Sequence, residues 1–454
     1  MNPMPIGNPS RRRPSALCTG VAAALVAAFA GIGPAQAAGA AAETQGLVAL
    51  HAAHIFDAVS GRLADDGYVI VRGSRIEAAG SSIAVPAGAR LVELGDATLL
   101  PGFIDAHVHL TDVLGPDWYA DWFNAHMRFP AEQALYGAKY ARDTLHAGFT
   151  TVRDLGSGDH ISLGLRNAIA DGVAEGPRML IANYAIGSTG GHADSDPAPE
   201  DRIRAADVRE GVCNGADQCR AAVRYQVKYG ADVIKFMPSG GVLSLADPVD
   251  NVQLTQEEMD AIVSEAHAWG RKVAAHCHGD RAARMAIAAG VDSIEHGSFL
   301  EDDTLRLMKQ KHVYLVPTLS TGHWIAPRVD TMPPAVAAKA RAAMAHQYTT
   351  YAHAVKFGVP VALGTDAGVG PHGSNAIEFS LMAEYGSTPE QSLLSGTSLA
   401  ADLLGLADRT GSLQAGRDAD VVAVPGNVLR DLHATEHPLL VMKQGHIVVG
   451  PPAR

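Results

Sequence analysis

Through the middle of the chain, short apolar runs rich in β-branched residues alternate with longer stretches of helical periodicity. Eight such runs can be counted, at residues 102–108, 150–154, 179–182, 233–236, 273–276, 292–296, 313–317 and 359–363. Runs this short and this continuously apolar suit strands buried on both faces, the pattern of a parallel sheet. Between them, 131–146, 217–229, 255–269 and 335–357 carry the apolar spacing of helices that bury one face. Thr255-Gln-Glu-Glu258 is a capping box that marks one helix start. Eight strands separated by helices predict an α/β fold, a (β/α)8 TIM barrel over 100–400. Its functional residues are then expected at the carboxyl ends of the strands.

The flanks have a different texture. Residues 46–99 alternate brief apolar runs with Gly, Asp and Ser turns, and the same texture returns in 420–424 and 446–449. These stretches predict a small β-sandwich lobe built from both ends of the chain, with 46–99 as one part. Residues 401–454 complete the barrel and supply the other part.

The first 37 residues differ again. Arg11, Arg12 and Arg13 precede an apolar stretch from Val21 to Ile32, followed by Pro34-Ala-Gln-Ala37. Basic, apolar and small-residue segments in that order read as a secretory signal cut after Ala37, which implies a periplasmic or secreted protein. The apolar stretch is too short to span a bilayer, and no later segment is long enough, so no membrane association of the mature form is expected. Cys18 precedes the apolar stretch rather than following it, which argues against a lipoprotein signal.

Composition narrows the functional classes. Apolar residues make up 47% and charged residues 19%, which supplies a large core. Removing Arg11, Arg12 and Arg13 with the leader takes the formal charge from −12 to −15, a surface that excludes nucleic acid as a natural partner. Cys213 and Cys219 lie six residues apart in a turn-rich segment, and export makes them a disulfide candidate.

Candidate chemistry gathers at the run ends. His107 and His109 close the first run, spaced so that strand alternation sends both imidazoles to one side, where they could bind a divalent metal. Lys235 ends the fourth run, His276 the fifth and His296 the sixth, and Asp366 follows the eighth in Leu363-Gly-Thr-Asp366. Any one of these could be an ordinary core or turn residue. Together they fall where a barrel places function. His278, two residues beyond His276, should face the same cavity and contact substrate, leaving Cys277 against the wall as packing. His192, in Thr189-Gly-Gly-His192, is a second candidate substrate contact. Ser239-Gly240-Gly241 should form a mobile or tightly turned lip of the pocket. There is no P-loop and no Gly-x-Ser-x-Gly elbow, which disfavours a serine-hydrolase mechanism.

With these motifs, Pro-Gly-Phe-Ile-Asp-Ala-His-Val-His, Val-Ile-Lys235-Phe, Ala-Ala-His276-Cys-His, Ile-Glu-His296-Gly and Gly-Thr-Asp366, residues 46–450 resemble the amidohydrolase superfamily. The likeness is to its branch with two metals and a carboxylated lysine. The resemblance implies one metal on His107, His109 and Asp366, and a second on His276 and His296. Lys235 would bridge them as a carbamate formed with CO2. It implies two divalent ions, zinc by default, and Asp366 as the catalytic base and then acid. The segments are most similar to a peptidase-type branch that includes imidazolonepropionase-related carboxypeptidases, dipeptidases and ochratoxinase. The expected substrates are N-acyl amino acids or dipeptides that release a C-terminal amino acid, ochratoxin A among them, and the expected assembly is a homo-oligomer. Selectivity should reside in loops that include 110–121 and 320–329, with Trp118, Trp122 and Trp324 as candidate aromatic walls. A mononuclear deaminase needs no lysine at position 235. A metal-free binding protein would not need all six ligand positions filled.

Overall fold

The structure, a computed structural model, describes residues 46–194, 205–245 and 247–451, without the side chains of Trp122, Ala125 and His126. The expected leader and Cys18 lie outside the described residues, as does the side chain of Trp122. The described residues form one compact unit.

Five strands open this unit: Leu47–Asp57 (β1), Arg62–Arg72 (β2), Arg75–Ser81 (β3), Arg90–Glu93 (β4) and Ala97–Pro101 (β5). Seven follow through the middle: Phe103–Val108 (β6), Phe149–Asp154 (β7), Arg178–Ile181 (β8), Val233–Phe236 (β9), Lys272–Gly279 (β10), Ser293–Phe299 (β11) and Tyr314–Val316 (β12). Three close it: Val421–Pro425 (β13), Leu440–Lys443 (β14) and His446–Val449 (β15).

The terminal strands meet as anticipated, in one continuous ladder of order β15-β14-β13-β5-β1-β2-β3 rather than two separate sheets. One edge of β1 pairs with β2, and its other edge is shared between β4 at 48–51 and β5 at 54–55. Leu50, Val69, Leu99, Val421 and Met442, from five strands of this sheet, fall in a single buried cluster. The opposite face of β5, β13 and β14 is apolar too, and Leu100, Val422, Val424 and Val441 pack into the main core, so this part of the sheet is buried on both sides.

The middle strands are parallel. β6-β7-β8 form one sheet and β12-β11-β10-β9 another. Isolated parallel bridges tie them: Ile186 to Phe236 on one side, and Leu315 to Val361 and Val108 to Ala367 on the other. The eighth apolar run therefore lies between β12 and β6, but as bridges rather than a regular strand. Leu315 N donates to the Pro360 carbonyl, Ala106 N to that of Leu363, and Asp366 N to that of His107. Pro360 contributes no N–H, and Asp366 turns left-handed at φ 55°, so a regular ladder cannot be sustained through the segment.

Helices connect the strands where periodicity placed them, at Pro130–His146, Ala216–Lys228, Gln256–Ala268 and Pro334–Phe357. Thr255 caps its helix with both arms of the capping box formed. Two segments expected as loops are partly helical. Asp117 accepts from Tyr119 N and Ala120 N to start Trp118–Met127, and Ser320–Ile325 continues into a 3-10 turn. Both are short and flanked by Gly or Pro, so apolar periodicity has too few turns to show. Cys213 and Cys219 are disulfide-bonded, with Cα atoms 5.0 Å apart, while Cys277 is a buried free thiol.

Candidate metal centre

Six side chains converge at the carboxyl ends of the parallel strands in two groups of three. His107, His109 and Asp366 form one, and His276, His278 and His296 the other; within each group the ligand atoms lie within 4.8 Å of one another. The two groups adjoin, with the rings of His107 and His296 5.1 Å apart. Lys235 is buried beside them, its Nζ 3.4 Å from His107 Nε2, and among the described residues no carboxylate lies within ion-pair distance of it.

The histidines are oriented by what holds their far nitrogens. His107 Nδ1 donates to Glu295 Oε2 at 2.8 Å and His109 Nδ1 to the Gly156 carbonyl at 3.0 Å. His278 Nδ1 meets Ser298 Oγ at 2.9 Å, and His296 Nδ1 meets Thr318 Oγ1 at 2.8 Å. In all four, Nδ1 is engaged and Nε2 is left toward the centre, the arrangement by which outer partners aim imidazoles at a metal. His276 is the exception, with Nε2 3.3 Å from the Gly240 carbonyl. Asp366 Oδ1 lies 3.5 Å from His107 Nε2 and 3.3 Å from His109 Nε2.

Electrostatics favours the ligand forms. Burial pushes His107 down to about 4 and His278 to about 3, and holds His276 and His296 well below the usual imidazole range, so these rings are neutral at pH 7. His109 goes up instead, because Asp366 beside it outweighs burial. Burial raises the Asp366 carboxyl, but the surrounding histidines more than offset this and hold it well below the usual carboxylate range. Burial also brings Lys235 down to about 8, which increases its neutral, nucleophilic fraction. Donors of this number, kind and protonation state fit divalent ions of the zinc type.

Four acidic or basic residues around these ligands went unremarked in the sequence. Glu295, fully buried, grips His107 while receiving Arg153 Nη2 at 2.9 Å and Ser293 Oγ at 2.5 Å. Burial raises the Glu295 carboxyl, but Arg153 and His107 outweigh it and bring it to about 2. Asp105 accepts from His107 N at 3.0 Å, Thr365 Oγ1 at 2.6 Å and Asn375 Nδ2 at 2.8 Å, and so fastens β6 to the turn that carries Asp366. Asp154 accepts from Leu110 N at 2.9 Å just beyond His109. The backbone carries strain at the same places: His296, Thr318 and Asp366 hold φ of 69°, 49° and 55°.

These side chains open onto a cavity of about 420 Å³. His278 and His192 both line it, and the His192 ring packs 4.5 Å from that of His276. Its apolar walls include Leu114, Trp118, Met237, Val242, Leu243 and Ile325. The glycine lip is tightly turned: a Cβ on Gly240 would fall 1.9 Å from the Pro248 carbonyl, and one on Gly241 would fall 2.2 Å from the His192 ring. Trp118 is a wall as expected, whereas Trp324 packs behind it against Gly370.

Comparison with known proteins agrees with this geometry. The amidohydrolase family model matches residues 98–448. Ochratoxinase of Aspergillus niger is 33% identical over 372 residues, which cover 78% of this chain and 76% of that protein. A crystal structure of a Xaa-Pro dipeptidase with bound methionine in the active site superposes with a TM-score of 0.85 at 36% identity, covering 89% of this chain and 100% of that one. A prolidase complexed with N-methylphosphonate-L-proline gives 0.82 at 29% identity, again covering 89% and 100%. The chain belongs to the amidohydrolase family and is a hydrolase of amide bonds.

Proposed function

We propose that the protein is a two-metal amidohydrolase on a (β/α)8 barrel that cleaves N-acyl amino acids or dipeptides and releases the C-terminal amino acid, with ochratoxin A as one such substrate. The observation that carries this reading is the pair of three-ligand clusters, with Lys235 buried beside them, at the floor of one largely apolar cavity. His107, His109 and Asp366 would hold one ion and His276 and His296 the other, joined by Lys235 once CO2 adds to its neutral amine and a proton leaves. The ions would polarise the scissile carbonyl and acidify the attacking water.

The chain's own residues supply the rest. Asp366 takes the proton of the attacking water and returns it to the leaving nitrogen. His278, in the cavity and within ligand distance of its neighbours, either meets the substrate carbonyl or joins the second ion's ligands. His192 closes the cavity over His276. The apolar walls suit an apolar side chain or an aromatic acyl group. The ochratoxinase, Xaa-Pro dipeptidase and prolidase relatives support an amino acid as the leaving group. Export fits the Cys213–Cys219 bond, since disulfides persist in oxidising compartments, and a homo-oligomer completes the reading.

The test is a panel of N-acyl amino acids, Xaa-Pro and Xaa-Arg dipeptides and ochratoxin A, offered to metal-replete protein. Release of a C-terminal amino acid, abolished by chelator, is expected. Phenylalanine from ochratoxin A would extend the activity to that substrate. Turnover of dipeptides alone would confine the enzyme to peptidase work, and silence across the panel would overturn the proposal.

A further inference from the structure

A second cavity, of about 400 Å³, opens at the opposite, amino ends of the parallel strands, where β8, β9 and β10 begin. Five cationic side chains line it, Arg153, Arg178, Arg271, Lys272 and Arg409, against one lining carboxylate, Asp232. That carboxylate is already engaged by Arg166 at 2.6 Å and Ile181 N at 3.1 Å.

The carboxylates behind the lining are partly shared with cations outside it. Arg178 pairs with Asp418 at 2.8 Å and Asp420 at 2.9 Å, but Asp418 also serves Arg409 at 3.0 Å and Arg75 at 2.6 Å. Lys272 has only Asp292, at 3.8 Å. Arg153 turns inward to Glu295 and Ser293, so its guanidinium is not free. The Arg271 side chain makes no hydrogen bond or ion pair among the described residues, and its Nε is buried without a partner. An unpaired buried donor on a cation is costly unless something occupies the space beside it. Apolar walls, including Met179, Leu180, Val233 and Leu404, keep the local dielectric low and strengthen the field of the unpaired Arg271 guanidinium.

We propose that this lower cavity binds a small dianion of the phosphate class, with Arg271 as the principal donor and Arg178 and Arg409 as flanking ones. Guanidinium forks present paired N–H groups that match such an oxyanion. The site lies at the far end of the strands from the metal ligands, so an anion here would occupy a place distinct from the amide-cleaving site.

Calorimetric titration of inorganic phosphate into the metal-replete protein, with chloride balancing ionic strength, tests this. Saturable binding of one ion per chain is expected, weakened roughly tenfold or more by Arg271→Gln. Amide turnover should be unchanged in that variant, and a saturating C-terminal amino acid product should not displace the phosphate. If Arg271→Gln does not fold, Arg409→Gln makes the same test. Absence of saturable binding would overturn the proposal. So would binding that both variants leave intact, or that the product displaces, since the phosphate would then be sitting elsewhere.

Discussion

The His107–His109–Asp366 cluster is braced mainly by charge, with only His109 held by a backbone carbonyl, whereas the His276–His278–His296 cluster is braced by hydroxyls and a backbone carbonyl alone. In the first, Arg153 and Glu295 stand behind His107, and Asp105 pins the strand to the Asp366 turn. In the second, Ser298, Thr318 and the Gly240 carbonyl do the aiming. The difference follows from burial. A fully buried carboxylate such as Glu295 is stable only with a cation and hydrogen bonds around it, and once so held it cannot swing, whereas a hydroxyl can rotate and re-pair. The charged half is therefore expected to be the rigid ion site and the neutral half the one that adapts to substrate.

The largest expected effect is at the carboxylate of the charged half. Asp366→Asn should lower turnover roughly 10²- to 10⁴-fold with little change in KM, as measured on whichever panel substrate turns over. A loss under tenfold would remove Asp366 from proton transfer. Next, Lys235→Ala should leave a folded protein whose metal content falls from about two per chain toward one, read by elemental analysis, with activity falling alongside.

A subtler contrast separates the two braces. Glu295→Gln should weaken metal binding roughly 10- to 100-fold in competition with a chelator, while Thr318→Val should cost only a few-fold. Equal losses would erase the distinction drawn between the halves.

The last effect is in pH and falls on stability rather than on activity. In metal-stripped protein, rings depressed to about 4 at His107 and about 3 at His278 stay neutral while the unfolded chain takes up protons below its ordinary value near 6.5. Their contribution to stability is thus present above pH 6.5 and lost as pH falls toward 4, by about 1.4 kcal/mol per pH unit for each such ring. His109, raised by Asp366, acts in the opposite sense, its contribution being present at low pH and lost as pH rises through its folded value. Because the depressed rings outnumber it, denaturant midpoints of stripped protein should fall between pH 6.5 and 4. A flat profile would mean the rings are not buried neutral.

That these side chains come together was legible because each sits at the end of an apolar run, so a count of runs also locates the residues that follow them. Their supports were less so. Asp105 was within reach, two residues before His107 and therefore on the same strand face. Glu295 was not: alternation places it opposite His296, yet both approach the site because the strand turns at His296 and Gly297, with φ of 69° and 67°. Arg153 reads as an unexceptional residue in a strand until Glu295 is found beside it. The irregular eighth strand and the helices after Asp117 and Leu319 escaped for the opposite reason, since their periodicity is too short to register.

The most direct test of the account is the metal content of the purified protein measured together with amide turnover before and after chelation. About two divalent ions per chain, with release of a C-terminal amino acid that disappears on stripping and returns with zinc, is the predicted result. Undiminished turnover in stripped protein, or full activity with a single ion, would contradict it.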